Sequence, residues 1–286
     1  GLTWHNISYD ILDRMINTFG QEELVKRPGS STKFTTILPR ASWIYDNSIF
    51  GFTGPIDGYR QNVSVTASPG WNTDFKFQTV KLDARKYWRF GRDYTFAIRG
   101  FFGSSKGKNA QKFFLGGIPY LLTDFQSGTT NGVSDPSAYR SVITDTSNSN
   151  LITDVYFTEY AFPMRGARFA ERIGTYASLF NFEVRFPFIN YLALGFPLKV
   201  VFGNIRGHAF VDVGAAWDSA DEFSSNSWPE KYGSNETAKF SPWVVTSGLG
   251  LKINLGYFLL RVESAWDKNP GGYSKPQWYL SLGPDW

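Results

Sequence analysis

Few side chains in this sequence have the types and spacing for bond chemistry. Gly103-Ser104-Ser105-Lys106-Gly107 fits the pattern of a nucleophile elbow. That motif needs a strand, a sharp turn and a helix; here a polar loop follows, and the chain holds only two histidines. Asp218, Asp221 and Glu222 have oxygen ligands enough for calcium, yet an acidic solvated loop accounts for them more simply. There is no cysteine, so neither disulfides nor thiolate metal sites exist. Gly248-Leu249-Gly250 lies in a strand pattern, where glycine marks packing or curvature, and no phosphate loop is present. The reading is a non-enzyme with no cofactor and no metal. What remains are single charges set at alternate positions in apolar stretches: Glu183 and Arg185 in one, His208 and Asp212 in another. Their chemistry is that of ion pairs on one face of a strand; His208, beside Asp212, reads as a satisfied residue of that face.

The elements that carry them are strands. From Tyr176 to Phe188 the even positions read Tyr, Ser, Phe, Phe, Val, Phe, Phe and the odd ones Ala, Leu, Asn, Glu, Arg, Pro. Side chains alternate across a strand with period two, so one face is apolar and the other charged. Ile205–Trp217 repeats this, with Ala209, Val211 and Val213 opposite Arg206, His208 and Asp212. The same alternation predicts strands over Thr36–Asn47, Tyr59–Ser68, Asp74–Arg89, Asp93–Gly103, Lys199–Trp217, Trp243–Asn254, Tyr257–Trp266 and Gln277–Trp286. With Tyr176–Phe188 that makes about nine strands. Phe50–Gly58 reads as a turn. Phe75 and Phe77 take one parity and Val80, Leu82 and Ala84 the other, which predicts a β-bulge near Gln78–Thr79. Ser104–Ile173 reads as a long polar loop, and Gly1–Lys33 as a lead-in of loop or partial strands.

Composition explains what the apolar faces meet. The 286 residues are 18% aromatic and only 19% charged, a balance that leaves much surface facing something other than water. No stretch approaches the roughly 20 apolar residues of a spanning helix. A membrane strand needs only about 9–11 alternating residues, so the mildly negative mean hydropathy is no obstacle. Connections are short at Phe90–Arg92, Asn190–Pro197 and Leu255–Gly256, and longer and polar at Ser104–Ile173, Asp218–Ser241 and Asp267–Lys275. Short turns on one side and long loops on the other are the habit of up-and-down membrane barrels. An open edge would leave backbone groups unpaired in hydrocarbon, so the sheet is expected to close. The fold class is therefore all-β: a transmembrane antiparallel up-and-down β-barrel, residues 34–286, with 104–173 a long loop directed into the lumen and 1–33 the lead-in. The formal net charge of +4 is spread singly, which argues against nucleic acid.

Several phrases, in order, resemble the BamA-like bacterial surface-antigen superfamily of outer-membrane insertases and two-partner-secretion transporters. Tyr160-Ala161-Phe162-Pro163-Met164-Arg165-Gly166-Ala167 is similar to its loop motif, usually Val-Arg-Gly followed by Phe or Tyr. Phe113–Gly117 is similar to the start of that loop, and Asn181–Pro187 and Phe210–Gly214 to the two following strands. Trp43–Asn47 and Gly58–Arg60 resemble earlier strands, and Trp278–Trp286 the terminal one. This chain departs at Met164, where Val or Leu is usual, at Ala167, where the aromatic should stand (Phe169 is close by), and in ending on Trp286. Gly1–Lys33 is too short for the family's periplasmic POTRA repeats, and the start at Gly1 reads as that of a mature or partial chain.

The resemblance implies a barrel of about sixteen strands whose long loop folds back into the lumen. Its Arg165, beside Gly166, would contact Glu183 and Asp212 on the inward faces of the next two strands. A guanidinium suits that role because its planar fork binds carboxylates bidentately. The residues fit a latch that sets the barrel's conformation and fit equally a structural ion pair. Trp278, Leu280, Leu282, Gly283 and Trp286 would form the terminal assembly signal. The implied function is outer-membrane protein assembly or translocation through a gated barrel, multi-pass in the outer membrane of a Gram-negative-type bacterium. Its partners would be lipid and lipopolysaccharide, a translocating polypeptide or other envelope subunits, and no nucleic acid. Two other readings fit the same pattern: an anchoring barrel subunit with a separate periplasmic domain, and a passive solute channel.

Overall fold

The computed structural model describes residues 1–9, 12–16, 22–26, 32–70, 75–118, 121–126, 158–161, 163–167, 170–195, 200–223, 242–256, 258–269 and 272–283. The chain opens with β1 (Leu2–Tyr9), a small hairpin of β2 (Leu12–Ile16) and β3 (Glu22–Lys26), and β4 (Thr32–Asp46). A tight hairpin of β5 (Ile49–Gly51) and the start of β6 (Gly54–Pro69) follows, then β7 (Lys76–Phe90) and β8 (Tyr94–Gly107). After the long connection come β13 (Tyr176–Leu194), β14 (Val200–Trp217), β15 (Trp243–Asn254), β16 (Leu259–Asn269) with its short partner β17 (Gly272–Tyr273), and β18 (Gln277–Gly283). The connection itself carries β9 (Phe113–Leu115), β10 (Leu121–Gln126), β11 (Glu159–Ala161) and β12 (Arg172–Gly174).

The wall is one antiparallel sheet in the order β1-β4-β6-β7-β8-β13-β14-β15-β16-β18-β10. All nine strands that alternation predicts lie in it. The two edges are additions: β1 comes from the lead-in and pairs with β4, and β10 comes from the long loop and pairs with β18. β13 and β8 show the two faces. On β13 Ala177, Leu179, Asn181, Glu183 and Arg185 are buried, whereas Phe180, Phe182 and Val184 are exposed. On β8 Thr95, Ala97, Arg99 and Phe101 are buried and Tyr94 and Phe102 exposed. Trp43, Trp88, Trp243 and Trp278 are exposed as well. Apolar outside and polar inside is the inverse of a water-soluble sheet and the signature of a strand wall in lipid.

Several expectations need correction. The bulge near Gln78–Thr79 is absent: β7 runs in continuous register with both β6 and β8. Phe75 and Phe77 point inward and join Leu38 in a small apolar cluster, while Val80 and Leu82 on the other parity point outward. The change is in what the inner face touches, polar in mid-strand and apolar at this end. Register shifts in the wall fall instead between Leu121 and Thr123 on β10 and between Pro187 and Ile189 on β13, the latter where proline has no N–H to give the ladder. Phe50–Gly58 is a two-stranded hairpin rather than a bare turn. The connection after β8 is not structureless either: β9 lies between a parallel β11 and an antiparallel β12.

That inner three-stranded sheet is packed inside the wall. Phe113, Leu115, Ala161, Met164 and Ala167 from the loop form one buried cluster with Phe101, Ala177, Leu179, Ala216 and Val244 from the wall. Burying such side chains stabilises by about 1.5–3 kcal/mol each for the larger ones, which holds the loop in the lumen. Polar ties fix its ends. Lys81 pairs with Glu159 at 2.7 Å, and Asp218 accepts from Lys112 Nζ at 2.9 Å and from the Thr175 N–H at 2.8 Å.

Candidate functional site: a buried arginine in the lumen

The inner sheet delivers one residue to the centre of the wall. Gly117 and Met164 exchange backbone hydrogen bonds at 3.2 and 2.9 Å, and Asn181 Nδ2 donates to the Pro163 carbonyl at 2.8 Å. These pin the two residues immediately before Arg165. Gly166 then turns it in the left-handed region, with φ of 85°. A Cβ there would stand 3.0 Å from Cβ of Ala265 and 3.3 Å from Cβ of Thr246, so glycine is required twice, by conformation and by space.

Arg165 is 2% exposed. Its Nε and Nη2 donate to the two oxygens of Asp212, both at 2.9 Å, and its own backbone N–H adds a third bond to Asp212 at 3.0 Å. Nη1 reaches Glu183 at 2.7 Å and Glu263 at 3.4 Å. The guanidinium lies 3.6 Å from the ring centroid of Phe210, within cation–π range. Glu183 is a hub in turn: Arg185 Nε donates to it at 2.6 Å and Lys252 Nζ at 2.5 Å. His208 Nε2 meets Glu263 at 2.9 Å. Three cations, Arg165, Arg185 and Lys252, thus face three carboxylates, Asp212, Glu183 and Glu263, in a dry setting. Balance is what makes such burial tolerable, since an unpaired charge there costs several kcal/mol.

The structure brings Arg165, Gly166, Glu183 and Asp212 together, on β13, β14 and the loop. It ties in Arg185 and Phe210, and adds Glu263 and Lys252, which pattern reading passed over although each sits on an inward parity. The other constellations dissolve. Gly103–Gly107 is the end of strand β8, and Ser105 Oγ is engaged with Thr79 at 2.9 Å and the Gln111 N–H at 2.8 Å. No cluster of potential metal ligands occurs among the described residues; Asp218 is engaged in the loop ties. Of the terminal residues, Trp278 is exposed, Leu280 and Leu282 share its face and Gly283 is buried; Trp286 and Phe169 lie outside the described residues.

Arg165 meets Glu183 on β13 and Asp212 on β14, as the sequence phrases implied, and Glu263 on β16 besides. The family model described as the Omp85 superfamily domain matches residues 2–286. The chain belongs to the Omp85 superfamily. No curated protein matches it significantly. The match includes the lead-in as well as the wall and the loop, so β1 falls within the Omp85 domain. Membership places the protein among outer-membrane β-barrels of an insertase and transporter superfamily whose members assemble or transport proteins rather than catalyse reactions.

Proposed function

We propose that this protein acts in outer-membrane protein assembly or translocation through a gated barrel, and that the Arg165 seat is the latch of its gate. It would span the outer membrane of a Gram-negative-type bacterium many times, meeting lipid and lipopolysaccharide outside and a polypeptide client or envelope subunits at its mouths. The observation that carries the reading is the seating of Arg165: one side chain of the loop bonded to carboxylates on β13, β14 and β16. Releasing that one residue breaks its ion pairs to three wall strands at once. An interaction of this kind favours two discrete arrangements, seated and unseated, over a continuum.

The test is conductance of the purified chain in planar bilayers, wild type against Arg165→Ala. The latch reading expects a nearly closed wild type and a variant that opens or flickers. Equal, wide and steady conductance in both would refute it and favour a passive solute channel. No conductance in either would move the anchoring barrel to first place.

A further inference from the structure

The short-turn mouth of the lumen carries basic charge that the latch does not use. Arg206, Lys252 and Arg261 stand in direct register on three consecutive strands, β14, β15 and β16, with Ser281 next in the row on β18. Arg89, Arg92, Arg185 and Arg206 line one pocket between the β7–β8 turn and the tip of the β5–β6 hairpin. Lys252 and Arg185 belong to the balanced latch set. Among the described residues the other four cations, Arg89, Arg92, Arg206 and Arg261, have Asp93, which pairs with Arg206 at 3.3 Å, and Glu263, two positions from Arg261 on β16 and already engaged by Arg165 and His208. Nearby carboxylates are held by their own turns: Asp46 by Ser48 and Arg60, Asp57 by the Gly58 N–H. Arg261 is the telling member, only 3% exposed and with no hydrogen-bond partner for Nε and Nη2 among the described residues. A buried guanidinium with unfilled donors carries a cost that an acceptor would relieve.

We propose that this basic collar docks an acidic polypeptide segment arriving from the short-turn side. Charge and lining together favour a chain over a single small anion. Lys252 is held by Glu183 and sealed, so an arriving segment meets Arg206 together with the exposed Arg89 and Arg92 of the β7–β8 turn. Guanidinium forks favour carboxylate partners, and the half-buried Ile56 and exposed Phe52 beside the pocket offer apolar contact to the same segment. The site shares Arg185 with the latch set and leaves Arg165 seated.

The experiment is fluorescence anisotropy of labelled hexaglutamate with the full chain in zwitterionic micelles. The proteins are wild type, Arg89→Gln/Arg92→Gln at the mouth, and Lys106→Gln/Lys108→Gln at the opposite end as a control of equal charge. Both pairs are exposed, so folding is not at stake. The expected result is saturable, salt-sensitive binding by wild type, weakened roughly tenfold in the arginine variant and unchanged in the lysine control. No binding by wild type, or equal loss in both variants, would overturn the proposal. So would binding of inorganic phosphate in a parallel titration without binding of hexaglutamate, which would make this a small-anion site.

Discussion

Replacing Arg165 by methionine removes the charge while keeping most of the volume, and the geometry says where the cost falls. Glu183 keeps Arg185 and Lys252. Asp212 loses both guanidinium bonds and retains one backbone N–H. The variant therefore leaves one buried carboxylate almost unpartnered, a situation worth about 3–5 kcal/mol of lost stability. Adding Asp212→Leu should return part of that loss, because the orphaned charge goes with it; the coupling between the two sites is expected at ~2 kcal/mol. Equilibrium urea unfolding in micelles, followed by tryptophan fluorescence, measures all three variants and closes the double-mutant cycle. An Arg165→Met cost below ~1 kcal/mol, the worth of an exposed pair, would mean that water reaches the seat and that the dry ion cluster is wrong. Strictly additive costs would refute the pairing with Asp212 even if each single loss were large.

Gly166→Ala tests the seat without touching a charge: the left-handed φ alone costs ~1–2 kcal/mol, and the new Cβ presses on Ala265 and Thr246. It should open the channel in bilayers much as Arg165→Ala does; a closed channel with an intact, protease-resistant loop would show that the turn tolerates a side chain. Thr123→Pro/Asp124→Pro removes two consecutive backbone donors from β10. Amide exchange should then quicken at those N–H groups of Trp278–Ser281 on β18 that point to β10 rather than to β16, and unchanged exchange would place no weight on that pairing.

The wall was legible because lipid and lumen impose opposite demands on alternate residues, and period two survives in any window long enough to count. Phe180, Phe182 and Val184 against Asn181, Glu183 and Arg185 need no more than parity. Legibility failed where parity stopped meaning one environment. Phe75 and Phe77 are inward and apolar, so the pattern slipped without the backbone slipping. It failed again for β9, β11 and β12, three residues each and too short for a period to show. In the candidate site, Glu183 and Asp212 could be placed on the inner face by alternation. That Arg165 meets them is a contact over 18 and 47 positions, which no local pattern encodes. Lys252 and Glu263 stood on inward parities beside apolar neighbours and were visible in principle; what hid them was the absence of any reason to pair them.

The pairing of β8 with β13 joins two meanders of neighbouring strands. Ser104 lies opposite Tyr176, so this seam closes a loop of some seventy residues, whereas the seams on either side of it close tight turns. Contacts that close long loops carry the larger entropic cost and form late. Every wall residue that holds Arg165, on β13, β14 and β16, belongs to the second meander. The arginine can therefore find its seat while that meander is still an open, curved ribbon. The first meander then zips along β8 over a loop already in place, and nothing has to be threaded through a finished ring.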